Sequence, residues 1–355
     1  MADNLKQLRA RIDALDLEIL KLVSERASAA HAIGRLKDDG TVYRPEREAQ
    51  VLRRLSATNP GPLPDKMVMH LFTEIISACR ALEDAFSVAS LGPRGTFSEE
   101  AVIKHFGAQA PVMLCTSIDE VFRSVESGSA GYGVVPMENS TEGAIGRTLD
   151  LLLSTPLRIC GEVLLPVHQN LLSKGNEIAA AKRIYSHAQS LAQCNRWLAQ
   201  NCPRAERVPV ASNAEAAKLA QDDAGSAAIA GRSAAAHYGL SVLAENIEDE
   251  PNNTTRFVVI SRQEVSPSGN DKTSLVMSTR NVPGAIHELL TPLANNRVSM
   301  TRLESRPSRT GLWEYVFFLD MEGHQNEAHV ARALDEMRDL AAFLKILGSY
   351  PVAVQ

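Results

Sequence analysis

The sequence predicts a multidomain chain: an all-α N-terminal segment, a two-lobed α/β domain and a C-terminal βαββαβ sandwich of the ferredoxin-like kind. Three observations predict it. Apolar residues recur at alternating spacings of three and four between residues 5 and 36. From about residue 87, short apolar strands alternate with helical stretches around Gly-rich turns, and the last segment runs strand, helix, strand, strand, helix, strand. At 355 residues the chain also exceeds one ordinary core.

In the first segment, Leu5, Leu8, Ile12, Leu15, Ile19, Leu22, Ala29, Ile33 and Leu36 mark one helix over about 4–36. At 1.5 Å per residue it would be roughly 50 Å long. It cannot bury its stripe against itself, so a partner subunit is expected to cover it in a homodimer. Pro45 suits the first turn of a second helix over 45–58. A third helical pattern runs through Met67, Leu71, Ile75, Ala78 and Leu82.

Arg26 falls on the apolar seam, where a charge is costly unless paired. Lys37 lies roughly 16 Å further along the axis, so both side chains can converge on one small molecule. Arg9 lies roughly 25 Å back and would have to arrive from an antiparallel partner. The pattern points to a dimer with a cationic site for a small dianion.

The second segment supplies 87-SVASL-91, 132-YGVVP-136, 183-RIYSH-187 and 226-SAAIA-230 as strands, with a turn at 92-GPRGTFS-98. Residues 166–245 read as a second lobe inserted between the halves of the first, and a cleft between lobes suits a small ligand. Read alone, 252-NNTTRF-257 is a turn whose Asn and Thr side chains satisfy local backbone groups. After the polar linker 264-EVSPSGND-271 come strands at 273–279, 298–307, 313–321 and 343–351, with helices at 283–296 and 327–341.

Composition excludes several classes. Net charge is −5 with no basic tract, so neither nucleic acid nor a membrane surface is indicated as a partner. The most apolar stretch, 151–167, is interrupted by Arg158, Glu162 and two prolines. The first residues lack a secretory core, and five cysteines without CxxC spacing fit reduced thiols in a cytoplasm. Nine histidines form no HExxH pattern, so no metal is expected. The glycines of 92–98 fit no nucleotide-binding loop, and no cofactor is expected.

Five stretches, 91-LGPRGTFSEEA-101, 134-VVPMENSTEGAI-145, 185-YSHAQSLAQC-194, 253-NTTRF-257 and 303-LESRP-307, occur in one order. Together with the helical segment they resemble the bifunctional chorismate mutase/prephenate dehydratase family of bacterial phenylalanine synthesis, over nearly the whole chain. The resemblance implies a mutase segment at 1–86, a periplasmic-binding-protein-like dehydratase domain at 87–265 and an ACT regulatory domain at 271–355. It implies chorismate, prephenate and inhibitory phenylalanine as ligands.

For dehydration it implies dependence on Thr255, with Thr96, Ser98, Asn139, Ser140, Ser186, Gln193, Arg256 and Phe257 around the substrate. Loss of CO2 and water is driven by aromatisation, so the site must place two carboxylates and assist a departing hydroxyl. Thr is a poor acid, so Thr255 is read as orienting the hydroxyl or relaying a proton. Arg256 has a fork suited to a carboxylate, or to a structural ion pair. For the mutase it implies Arg9 and Arg26 on carboxylates, Lys37 on the ether oxygen, and Glu48 on the ring hydroxyl beside Arg47.

Arg44, Cys79 and Glu83 depart from the family's usual acid, hydroxyl and Gln, and Glu83 would have to be protonated to donate to the ether oxygen. For phenylalanine the resemblance implies Gly284, Ala285 and Ile286 with Glu304, Ser305 and Arg306; a surface pair between Glu304 and Arg306 is the bland alternative. Two other readings remain: a dehydratase on a non-catalytic helical arm, and a ligand-binding protein without catalysis.

Overall fold

The computed structural model describes residues 2–36, 43–83, 86–280, 282–307 and 315–354; Lys37 lies outside them. The helical unit comprises α1 (Ala2–Leu36), α2 (Pro45–Thr58, with Pro at its start) and α3 (Asp65–Arg80). The C-terminal third of α1 rests on α3. Arg26 Nη1 stands 3.0 Å from Cys79 Sγ, and His31 Nδ1 3.1 Å from the Leu82 carbonyl. The rest of the apolar stripe, including Leu8, Ile12, Ile19 and Leu22, faces solvent.

The first lobe contains β1 (Val88–Leu91), β2 (Val112–Cys115), β3 (Tyr132–Asn139), β4 (Gly143–Ala144) and β5 (Arg158–Pro166). Its helices are α4 (Phe97–Phe106), α5 (Ile118–Glu126) and α6 (Gly146–Ser154). The chain then builds the second lobe: β6 (Asn170–Ser173), β7 (Arg183–His187), α7 (Ala188–Gln193), α8 (Asn195–Asn201), β8 (Glu206–Val210), α9 (Asn213–Asp222), β9 (Ser226–Ala230), α10 (Arg232–Tyr238) and β10 (Ser241–Ala244). It returns to the first lobe as β11 (Thr254–Ser261). The sheet orders are β2-β1-β3-β11-β5 and β10-β6-β9-β7-β8, so the second lobe is an insertion.

Strand β11 lies antiparallel between β3 and β5 and therefore alternates its side chains between two environments. Phe257 and Val259 enter a core with Phe106, Val163 and Tyr43. Val258 and Ile260 enter another with α5, α6 and the C-terminal sandwich.

That sandwich comprises β12 (Asp271–Ser278), α11 (Ala285–Asn295), β13 (Met300–Pro307), β14 (Tyr315–Glu322), α12 (Ala328–Leu340) and β15 (Phe343–Pro351), in sheet order β13-β14-β12-β15. One face carries the helices over Leu275, Met277, Leu319 and Met321. The other packs on the first lobe through Val276, Phe318, Leu347 and Tyr350. Backbones approach closely there: a Cβ on Gly348 would lie 2.1 Å from the Ile159 carbonyl oxygen.

The helical unit docks in the same way. Gly107, at φ +78°, leaves room for Ser77, whose Cβ would stand 2.4 Å from an added methyl. The Glu74 carboxylate accepts the Ala108 amide at 3.2 Å.

We expect Gly348→Ala to force these two sheets apart and destabilise the protein by about 2 kcal/mol or more. Thermal unfolding checks this, and an unchanged midpoint would show that the contact tolerates a side chain.

Candidate active sites

Where β3 ends and β11 begins, Asn139 and Thr255 are directly opposed residues. Both are nearly enclosed. Asn139 Oδ1 accepts the amides of Thr141 (3.1 Å) and Glu142 (3.2 Å), which fixes the side-chain amide's orientation because backbone N–H groups only donate. Its Nδ2 hydrogens then go to Asn253 Oδ1 at 2.8 Å and to Thr255 Oγ1 at 2.9 Å. Thr255 Oγ1 is thus an acceptor toward Asn139, and no described residue accepts its own hydrogen.

The second lobe reaches this pair. Asn253 Nδ2 donates to Gln193 Oε1 at 3.3 Å, and Gln193 Nε2 to Glu142 at 3.3 Å. Behind them Gln169, Ser190 and Asn213 continue the network at 2.9–3.1 Å, and Gln169 Oε1 is buried without a hydrogen-bond partner among the described residues. On the far side, Glu100 of α4 bonds Ser233 of α10 across the cleft. Burial raises the Glu100 carboxyl's pKa, and the Ser233 bonds oppose the rise.

The helical unit gathers a second polar cluster. Arg26 is half-buried against Cys79, whose side chain is buried. Glu48 accepts from Arg80 Nη1 at 2.9 Å. Burial raises the Glu48 carboxyl, and the Arg80 and Arg26 guanidiniums pull it back. Arg80, 3 % exposed, also donates to the Phe106 carbonyl at 2.6 Å and stacks 5.2–5.4 Å from Phe86, Tyr43 and Phe106. Glu83 lies against Gly34, where an added Cβ would stand 3.0 Å from its carboxylate. Arg9 and Arg47 are exposed on α1 and α2, away from this cluster within one chain.

In the sandwich, Gly284 is a left-handed residue (φ +81°) before Ala285, the first residue of α11, and Ile286 packs on the sandwich core. Ser278 and Arg306 both pair with Val316, so the loop before α11 and the end of β13 share one end of the sheet.

Family models match in the same order: chorismate mutase type II over 8–84, prephenate dehydratase over 88–265, and ACT domain over 273–339. The bifunctional chorismate mutase/prephenate dehydratase of Neisseria gonorrhoeae is 55% identical over 349 residues, covering 98% of this chain and 96% of that protein. The chain belongs to that family. The Pseudomonas aeruginosa member is 51% identical over 360 residues, 99% of each. The crystal structure of prephenate dehydratase in complex with L-Phe from Arthrobacter aurescens matches with a TM-score of 0.69 and 37% identity, covering 75% of this chain and 89% of that one.

Against the family's residues, the structure corrects several expectations. Arg256 does not face the cleft: alternation along β11 turns it to the opposite side of the sheet from Thr255. There it pairs with Glu162 at 2.9 Å and Asp320 at 2.5 Å, the structural alternative. Phe257 is core. Ser186 Oγ is buried against the Ile229 carbonyl (2.7 Å) and Asn213 Oδ1 (2.9 Å), so its hydrogen is used internally.

Thr96 is the N-cap of α4, accepting from the Glu99 amide; Ser98 sits buried in the first turn behind it. Ser140 is exposed and accepts the Thr254 amide at 2.9 Å, which ties the turn to the start of β11. The turn reading of 252-NNTTRF-257 holds for Asn252, but Thr254 and Thr255 already belong to the strand. Cys79 Sγ accepts from Arg26 Nη1 at 3.0 Å. Glu304 and Arg306 do not pair with each other: Glu304 lies 3.9 Å from Arg302 and Arg306 3.1 Å from Asp150, while Ser305 lies exposed between them.

Arg80, Gln169, Ser190 and Asn213 escaped sequence reasoning. None falls on a periodic seam, and their partners are distant in sequence. A groove of about 410 Å³ between α2, α3, α4, β5 and residues 351–354 includes Glu48 and Thr254 in its walls, but neither Asn139 nor Thr255.

The joint between mutase and dehydratase buries an imidazole. His105 Nε2 lies 2.5 Å from the Tyr43 hydroxyl, and removal from water, aided by Arg80, lowers its pKa from 6.5 to about 3. The folded state therefore binds fewer protons than the unfolded one between these values, and its stability is lost as pH falls from 6.5 toward 3. In urea melts His105→Gln should flatten that part of the stability profile; an unchanged slope would remove His105 from the joint's titration.

Proposed function

We propose that the chain rearranges chorismate to prephenate in its helical unit and converts prephenate to phenylpyruvate in the cleft between its lobes, with feedback inhibition by phenylalanine at the ACT domain. The reading carries the division 1–86, 87–265 and 271–355. One observation carries the dehydratase assignment: the Asn139 amide, locked by two backbone amides, donates to Thr255 and leaves the Thr255 hydroxyl hydrogen directed elsewhere.

In the dehydration, Thr255 orients and hydrogen-bonds the departing ring hydroxyl. Asn139 holds Thr255, and Gln193 with Asn253 places a substrate carboxylate from the second lobe. Carbon dioxide leaves with its bonding electrons retained by the ring, which expels hydroxide as it becomes aromatic. The proton that turns hydroxide into water is taken up from solvent, with Thr255 giving its hydrogen to the leaving oxygen as it receives another. A fixed donor that strengthens as the oxygen gains charge lowers the barrier more than it tightens substrate binding.

The mutase reaction needs only confinement and charge stabilisation. Arg26 takes a carboxylate, Glu48 takes the ring hydroxyl with Arg80 holding it, and Lys37 and Glu83 serve the ether oxygen. The uncovered stripe of α1 supports a homodimer, whose antiparallel arrangement would supply the partner's Arg9 to complete the cationic site. No described helix is long and apolar enough to cross a membrane, and free cysteines fit a cytoplasmic enzyme. Gly284, Ala285 and Ile286 with Glu304, Ser305 and Arg306 form the proposed phenylalanine site.

Purified protein given chorismate alone should produce phenylpyruvate, above a no-enzyme control. Thr255→Ala should lower its formation at least about 100-fold while chorismate loss stays within about twofold and prephenate accumulates. Undiminished phenylpyruvate from the variant would remove Thr255 from the reaction. Unconsumed chorismate, with added prephenate still converted, would leave the helical unit as a dimerisation arm.

A further inference from the structure

Directly behind the Asn139–Thr255 pair, the next residue on each strand points the other way. Glu138 of β3 and Arg256 of β11 are themselves directly opposed. Facing them across the domain boundary are Arg302 of β13 and Asp320 of β14, also directly opposed. Charges cross: Arg256 Nη1 stands 2.5 Å from Asp320 Oδ2, and Arg302 Nε 2.8 Å from Glu138 Oε2. Each domain thus contributes one cation and one anion to a quartet, and both dehydratase members are chain neighbours of the reacting pair.

The two arms differ in firmness. Arg256 is held further by Glu162 at 2.9 Å and the Tyr350 hydroxyl at 2.8 Å, while Lys272 binds Glu162 at 2.8 Å and Ser274 binds Asp320 at 2.5 Å. This arm is over-determined. Arg302, with its side chain only 10 % exposed, makes its one short contact through Nε to Glu138. Its Nη1 and Nη2 are buried without hydrogen-bond partners among the described residues. Nη2 lies 3.9 Å from Glu304, in the motif assigned to phenylalanine. One guanidinium therefore stands between a carboxylate on the catalytic strand and a carboxylate of the effector motif.

We propose that Glu138 and Arg302 are positioning residues: through them the regulatory domain sets the geometry of Asn139 and Thr255, and occupancy of the effector motif acts by redistributing Arg302 between Glu138 and Glu304. The second half rests on the phenylalanine reading above; the first does not. An arginine close to one carboxylate and within reach of a second can be drawn from one to the other, which is what a coupling element requires. A displaced Glu138 shifts the end of β3, and with it the amide that orients Thr255.

The test compares wild type, Glu138→Gln, Arg302→Gln, the double variant and Arg302→Lys. It measures prephenate kcat and KM, half-inhibition by phenylalanine, and phenylalanine Kd by calorimetry, with thermal unfolding as the check on folding. Each Gln variant should lose about fivefold in kcat with KM within about twofold. The double should be no worse than either single, because each single already breaks the one Glu138–Arg302 pair. Arg302→Lys, which keeps the charge, should recover most of the loss. Phenylalanine should still bind within about twofold but inhibit less in the Gln variants.

Unchanged kcat in both singles, or additive losses in the double, would overturn the positioning role. A Kd that weakens in step with inhibition would make Arg302 a ligand contact and overturn the coupling. If wild type itself ignores phenylalanine, the regulatory reading fails while the kcat cycle still decides the positioning.

Discussion

The alternation of side chains along β11 is the constraint on which the rest of the structure depends. This strand reaches the first lobe after the chain has built the whole second lobe, and it inserts antiparallel between β3 and β5. With a period of two, consecutive residues must face opposite sides. Thr255 meets Asn139 at the cleft, Arg256 enters the ion network under the regulatory sandwich, and Phe257 returns to the core. A one-residue slip would turn each of them to the opposite face; in one direction it would put the Phe257 ring in the ion network and the Arg256 guanidinium beside Asn139. The proposed catalytic pair and the contacts to the ACT domain are thus adjacent in chain and lie on opposite faces of one sheet.

Both domain junctions use buried charge in the same manner. Arg80, held by Glu48 within the helical unit, ties it to the dehydratase through the Phe106 carbonyl and ring; Arg256, held by Glu162 within the dehydratase, ties it to the sandwich through the Asp320 carboxylate and the Tyr350 hydroxyl. Such groups are poor sources of net stability, because desolvation offsets the attraction. They do discriminate strongly against misplacement, since shifting either partner leaves an unpaired buried charge. Close backbone approaches at Gly107 and Gly348 set how near the units can come, and the ion pairs set the registration.

Much of this was legible in the sequence because it follows from local periodicity. The 35-residue helix α1, the proline-started α2, the inserted lobe and the βαββαβ tail each leave a repeating apolar signature. Thr255 and Asn139 were reached only through motif resemblance: a Thr and an Asn at strand ends look like turn chemistry, and their meeting depends on a strand pairing across more than a hundred residues. Arg256 was misplaced as a cleft residue because a motif gives neighbours in sequence, whereas a strand sends neighbours apart. Arg80 and Gln169 carry no local mark. The contact of Arg26 with Cys79 joins residues far apart in sequence and likewise leaves no local signature.

Hydrogen exchange with mass spectrometry, with and without phenylalanine, tests most directly whether β11 joins regulation to catalysis. The account predicts altered exchange in peptides covering 136–142 and 253–257 as well as in the sandwich around 284–286 and 302–306. A response confined to the sandwich, with the ends of β3 and β11 unchanged at inhibiting phenylalanine, would contradict it.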